Sequence, residues 1–456
     1  MNLFICFLIP FLAPIRFSLV GEIAAGEVLV PLLLLLNWKS TWIAAKERIG
    51  FSFLLLIFLY LVSLVLSDIY RQTPPEDYLR GWAKVTLTGI AYLAFLGAFS
   101  RNPKFFIAFV FGFIASIVTR VIFDGSLQGW GSESYKWRYG IPLTFFVFCV
   151  ASLFLLRHKA VAVGMMLFIS ILSLVMNYRS LAGVSLIATL LTAFSTTSSI
   201  ESRSSMRILV YCLLAVIFGA SILQLYIWAA PQGFLGEVAR DKFAMQSTNG
   251  TFSLLSGRAE LIFSFPKIVE SPIVGWGSWA KDIDFVFQRA FELELSPSQQ
   301  SEFLGSNDGL IPTHSHIFSG WLEAGLFGGI FWIAFAWITF RNITYSSNSL
   351  KPIFLVIIYL SGSLILWDLF FSPYGAGRRA EMGAYLAFNV ILARVLGFNR
   401  IITFATSNSL KQKKSPILPT SALGKNLLIN PNQPTSIRTK AIEVNQRKIH
   451  NSFPNK

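Results

Sequence analysis

Acidic residues are scarce in this chain, 23 against 38 lysines and arginines, and charge of either sign makes up only 13% of its 456 residues. That is about half of the roughly 25% typical of soluble domains, which excludes an ordinary water-facing globule. Cysteine is rarer still. Cys6, Cys149 and Cys212 stand far apart inside apolar blocks, without the pairing of a zinc site or a disulfide framework, and read as small apolar residues. A Walker loop, a dinucleotide fingerprint and a GxSxG elbow are all missing, so the common nucleotide-dependent and hydrolase chemistries have no foothold.

What is abundant is apolar sequence, 54% of the chain. It comes in blocks of about 18–23 residues, the length a helix needs to cross a hydrocarbon layer of about 30 Å. Barrel strands would alternate every second residue instead. The expected fold is therefore all-α, a polytopic membrane bundle of about twelve spans. They are placed near 3–20, 22–38, 50–67, 82–99, 105–123, 139–156, 160–176, 180–197, 208–228, 317–340, 353–371 and 381–397. The opening residues lack a basic leader and a small-residue cleavage site, so they read as a retained first span. Four regions follow: a bundle over 1–228, a long loop over 229–316, further spans over 317–397 and a tail over 398–456.

Charge placement orients the bundle. Lys39, Lys46 and Arg48, then Arg101 and Lys104, Arg157 and Lys159, Arg203 and Arg207, and Arg341 and Lys351 fall in alternate connections, as expected of a cytoplasmic face. The loop over 229–316 then lies outside. The net charge of +15 invites a nucleic-acid partner, but +9 of it comes from the tail beyond residue 399, whose Pro, Ser, Asn and Lys content favours disorder. No nucleic acid is expected; the partner of the apolar blocks is the lipid bilayer.

Two groups of residues offer chemistry. His314 and His316 end the long loop, and Glu323 follows inside the next apolar block. Histidine exchanges a proton near neutral pH, which fits a general base on an acceptor hydroxyl; two polar boundary residues are the plain alternative. No other ligand stands at metal spacing beside them. Glu323 sits about 10 Å along a helix from His316, too far to orient it, and is expected to turn into the bundle onto an arginine or hydroxyl. The second group is arginine on the outer side: Arg179 in NYRSLAG, Arg258 in SGRAE, and Arg378 with Arg379 in GAGRRAE. Guanidinium groups grip phosphate oxygens bidentately, so these read as candidates for an anionic ligand. Local pairing, with Glu260 for Arg258 and Glu381 for Arg378 or Arg379, is the alternative; Arg179 has no acid near it in sequence. Within the loop, a helix is expected with an apolar stripe of Leu261, Ile262, Phe265 and Ile268, kinked at Pro266. SPIVGWGSW after it reads as a tight interfacial turn through Gly275 and Gly277. From Lys281 to Asp308 the loop carries no sharp signal.

In this order, Arg179-Ser180, Ser256-Gly257-Arg258, SPIVGWG, His314-Ser315 and Glu323-Ala324-Gly325 with Gly328 resemble the O-antigen ligase and polymerase superfamily of bacterial membrane glycosyltransferases. The spacing to Glu323 puts His314, not His316, at the family histidine. Ser315 replaces the family's usual asparagine, and Phe318 stands where leucine is common. The resemblance implies transfer of a glycan from an undecaprenyl pyrophosphate carrier to a glycan or lipid A core acceptor, on the periplasmic side of the inner membrane, without nucleotide sugar, metal or other cofactor. His314 would take the acceptor proton, and Arg179, Arg258, Arg378 and Arg379 would hold the departing pyrophosphate. His316, Glu323, Gly275 and Gly277 would support them. Ligase, polymerase and protein O-oligosaccharyltransferase share this pattern. The reading from a different class is a lipid-linked oligosaccharide flippase, which would be expected to show repeated halves and a charged midplane cavity.

Overall fold

The computed structural model describes residues 1–18, 21–124, 139–176, 178–195, 224–234, 236–237, 240, 243, 247–248, 251–252, 259–292, 309–346 and 350–397. It is a helical bundle. Five helices are long and apolar enough to cross a membrane by length and composition: α4 (Arg48–Arg71), α5 (Pro75–Arg101), α6 (Lys104–Asp124), α13 (Leu326–Tyr345) and α14 (Pro352–Phe371). Shorter apolar helices complete it: α1 (Asn2–Phe11), α7 (Ile141–Phe154), α8 (Lys159–Val175) and α9 (Arg179–Ser195), with α15 (Arg379–Val395) at the end. Most of the expected span 208–228, and the tail beyond 397, lie outside the described residues.

The first two expected spans are replaced by something more broken. α1 stops at Phe11, and the chain turns through a short hairpin, β1 (Arg16–Ser18) paired antiparallel with β2 (Glu22–Ala24). Arg16 and Glu22, the charges that interrupt the apolar run, bridge each other across it at 2.9 Å. The chain then descends as a 3-10 turn and α2 (Leu29–Leu36), and bends by 80° into α3 (Trp38–Lys46). Among the described residues, helices also stand at the expected positions 50–67, 82–99, 105–123 and 353–371, all long enough to span, while those at 139–156, 160–176 and 180–197 are shorter, at 14 to 17 residues. α4 continues past residue 67 to Arg71, and α5 begins at Pro75, where a missing N–H costs nothing.

One continuous apolar core runs through the bundle. α15 packs most extensively on α5, where small residues allow backbones to approach. A side chain on Gly383 would come within 2.6 Å of the Ala91 Cβ and 2.7 Å of the Tyr92 nitrogen.

The long loop expected over 229–316 has structure of its own where it is described. α10 (Ala259–Glu270) contains Pro266, and α11 (Ile283–Glu292) occupies the segment that carried no sharp sequence signal. Asp282 starts α11 by accepting the Phe285 N–H at 3.0 Å, an N-cap that was readable as D-I-D-F. Two-residue strands at Ser247–Thr248 and Thr251–Phe252 also pair. Phe263, Ile268, Val286, Ile311 and Leu322 form a small second core joining this loop to α12 (His316–Ala324). Phe265 is 57% exposed, so it does not share the buried face of Ile268 as the expected stripe had it. Leu261 and Ile262 lie where the side chains are outside the description.

Candidate functional site

The expected span 317–340 is two helices. α12 ends at Gly325, whose left-handed backbone (φ 63°) starts α13 in a new direction. This break leaves the last carbonyls of α12 without helical partners. They are taken by other elements: Trp276 N–H donates to Leu322 O at 2.7 Å, Gly277 N–H and Ser67 Oγ to Glu323 O at 3.0 Å each, and Ser63 Oγ to Ala324 O at 2.7 Å.

The two motifs that looked separate in sequence, SPIVGWG and EAG, are thus one interlocked unit. Gly275 and Gly277 have φ of 87° and 82°. A Cβ on Gly275 would lie 2.6 Å from the Gly325 nitrogen, and one on Gly325 would lie 2.0 Å from the Ile273 oxygen. Glycine is needed at both for shape and for contact. Asp68 of α4 clasps the same turn, accepting from Ser278 N–H (2.6 Å), Ser278 Oγ (2.8 Å) and Trp82 Nε1 (2.8 Å). Arg71 and Lys267 lie against the Trp276 ring at 4.1 and 4.2 Å.

Ser315 is the N-cap of α12. Its Oγ accepts from Phe318 N–H at 3.2 Å and donates to Leu369 O at 2.8 Å. The two histidines flanking it meet opposite surroundings. His314 is exposed. His316 is fully buried, with Nδ1 2.7 Å from Ser372 O, so Nδ1–H donates and Nε2 carries the lone pair. Nε2 has no hydrogen-bond partner among the described residues. Burial, reinforced by Arg378 and opposed by Asp368, pulls the His316 pKa down to about 4 and keeps the ring neutral at pH 7.

Glu323 does turn into the bundle, but onto a lysine. Lys84 Nζ lies 2.7 and 3.0 Å from its two carboxylate oxygens, with the side chains only 2% and 9% exposed. The Trp279 and Tyr374 rings lie 4.7 and 5.3 Å from the ammonium, and Tyr374 is hydrogen-bonded to Thr88. Trp279 holds a left-handed backbone (φ 54°), unusual for a bulky residue. Lys84 was missed in the sequence, although a lone lysine within an apolar block is the signal for such a pair.

The arginines part company. Arg378 pairs with Asp368 at 2.7 Å, and Asp368 also accepts from Ser372 Oγ at 2.6 Å. Arg379 grips Glu27 with two hydrogen bonds, 2.9 and 2.7 Å. Arg379 thus pairs with a carboxylate distant in sequence, whereas Arg378 faces Asp368 and also feels the charge of the nearby Glu381, the partner of the local-pairing alternative. Arg379 ties α15 to the hairpin region, and Arg378 ties the same turn to α14, near His316. Arg179 is half-buried at the start of α9 with its guanidinium 4.1 Å from the Tyr226 ring. Arg258 lies outside the described residues. The structure therefore sets His316 and Arg378 at the start of α12 and Glu323, Gly275 and Gly277 at its end, with Tyr374 touching both His316 and the Lys84 partner of Glu323, and sets Arg179 with Tyr226 instead. Among the described residues, no group of three or more His, Cys, Asp or Glu side chains is placed to hold a metal ion.

No family model matches the chain, and no curated protein matches it.

Proposed function

We propose that the protein is a membrane glycosyltransferase of the O-antigen ligase type, which moves a glycan from undecaprenyl pyrophosphate to an acceptor hydroxyl at the outer face of the inner membrane. The observation that carries this reading is the contrast within THSH. An acceptor can reach the exposed His314, whereas the buried His316 is held by Ser372 O and stiffens the helix that His314 precedes.

In this mechanism His314 removes the acceptor proton as the oxygen attacks the anomeric carbon, and a single displacement inverts that carbon. Arg179 binds the leaving pyrophosphate, with Arg258 assigned the same task from the sequence pattern. Arg378 and Arg379, each facing a carboxylate, contribute by fixing the turn between α14 and α15. The long loop is then periplasmic and the basic tail cytoplasmic.

The test uses purified protein in liposomes with a polyprenyl-pyrophosphate glycan and an acceptor glycolipid. His314→Ala should abolish transfer while the protein stays folded and inserted in the liposome, read by its circular dichroism and its elution on size exclusion. Transfer at the wild-type rate would overturn the assignment.

A further inference from the structure

We propose that the outward stripe of α10, Phe265 and Val269, continued by Ile273 in the turn beyond it, docks onto bilayer lipid, so that this loop helix lies in the membrane interface and not in water. α10 is apolar on two sides. Its inward side, Phe263 and Ile268, is buried in the small core of the loop. Phe265, Val269 and Ile273, spaced four apart, remain 57%, 61% and 69% exposed. A helix facing water would put polar side chains there. Single exposed apolar residues need no explanation, but a stripe at helical spacing does.

Continuity identifies the occupant. Ile273 O accepts the Leu326 N–H at 3.2 Å, so the stripe runs directly into the start of span α13. There Leu326, Phe327 and Ile330 are 37%, 37% and 38% exposed, which in a membrane-crossing helix is the side turned to lipid. The stripe extends that lipid-facing strip around the corner into the interface plane, where amphipathic helices bury an apolar face about 5–10 Å deep. Trp321 pins the corner by donating from Nε1 to Pro272 O at 2.9 Å. This inference does not depend on the proposed reaction.

The test places single cysteines at Val269 and Ile273, at Ile330 as the lipid reference and at Glu76, exposed beside the start of α5, as the water reference. Cys212→Ser removes the native thiol outside the described residues; Cys6 and Cys149 are buried. Each full-length variant is labelled with bimane and reconstituted into phospholipid brominated on its acyl chains. The labels at 269 and 273 should lose emission as fully as the label at 330, and should resist aqueous iodide that quenches the label at 76. Quenching by iodide at 269 and 273 would overturn the proposal. So would protection from both quenchers, which would mean that a second copy or another protein covers the stripe.

Discussion

Replacing Glu323 by leucine should cost more stability than any exposed substitution in this protein. Glu323→Leu leaves the Lys84 ammonium, 2% exposed, without the two carboxylate oxygens it holds at 2.7 and 3.0 Å. Removing one partner of a buried pair costs about 3–5 kcal/mol. The Trp279 and Tyr374 rings near Nζ return part of this, about 1–2 kcal/mol for a desolvated cation, so the net loss is about 1–4 kcal/mol. Lys84→Met alone strands the carboxylate and should cost a similar amount. The double variant Lys84→Met/Glu323→Leu strands nothing and should regain most of the loss, since well-packed apolar replacements of buried pairs are often neutral or better. Reversible unfolding of the four proteins in mixed detergent micelles closes the cycle. The reasoning fails if Glu323→Leu costs under about 1 kcal/mol, or if the double variant falls at the sum of the singles.

Gly325→Ala should lose about 1–3 kcal/mol and loosen the loop, because its Cβ meets the Ile273 oxygen at a strained φ; Gly164→Ala in α8, with nothing within 4 Å, should gain up to about 1 kcal/mol in the same unfolding assay. Ser315→Ala should cost about 1 kcal/mol through the lost N-cap and lower transfer in the liposome assay, whereas Ser315→Asn should restore the cap. The loop carries a pH signature. Burial works to raise the Asp282 pKa, but Lys267 and the Phe285 N–H outweigh it and hold the carboxyl below its usual 3.8. A depressed acid contributes stability above its unfolded pKa and loses it as pH falls through the folded one. Protection factors in 259–292, with the intrinsic pH dependence of amide exchange divided out, should therefore be constant from neutral pH down to about 4 and fall only below that. A loss of protection between pH 5 and 7 would contradict the pairing.

The helical class and the outer long spans were legible because apolar block length and hydrocarbon thickness are the same constraint. Gly275 and Gly277 were legible as a turn, since backbone freedom is written into the residue type. What that turn packs against was not, because its partners Asp68 and Gly325 are set by tertiary approach. Lys84 and Glu323 are separated by 239 positions, so neither announces the other. The same holds for Arg379 and Glu27, 352 apart, where sequence proximity pointed to Glu381 instead. The first two spans were misplaced because apolar content alone does not reveal the hairpin that Arg16 and Glu22 close.

The most direct measurement is a gel of surface and lipid-linked glycans from cells carrying the gene intact, deleted, or with His314→Ala. The account predicts that deletion and His314→Ala look alike, with long chains accumulating on the polyprenyl carrier and the acceptor left bare. Single repeat units still reaching the acceptor would mean a polymerase. A deletion phenotype with normal glycan in His314→Ala would contradict the account, placing the chemistry elsewhere or making the protein a transporter.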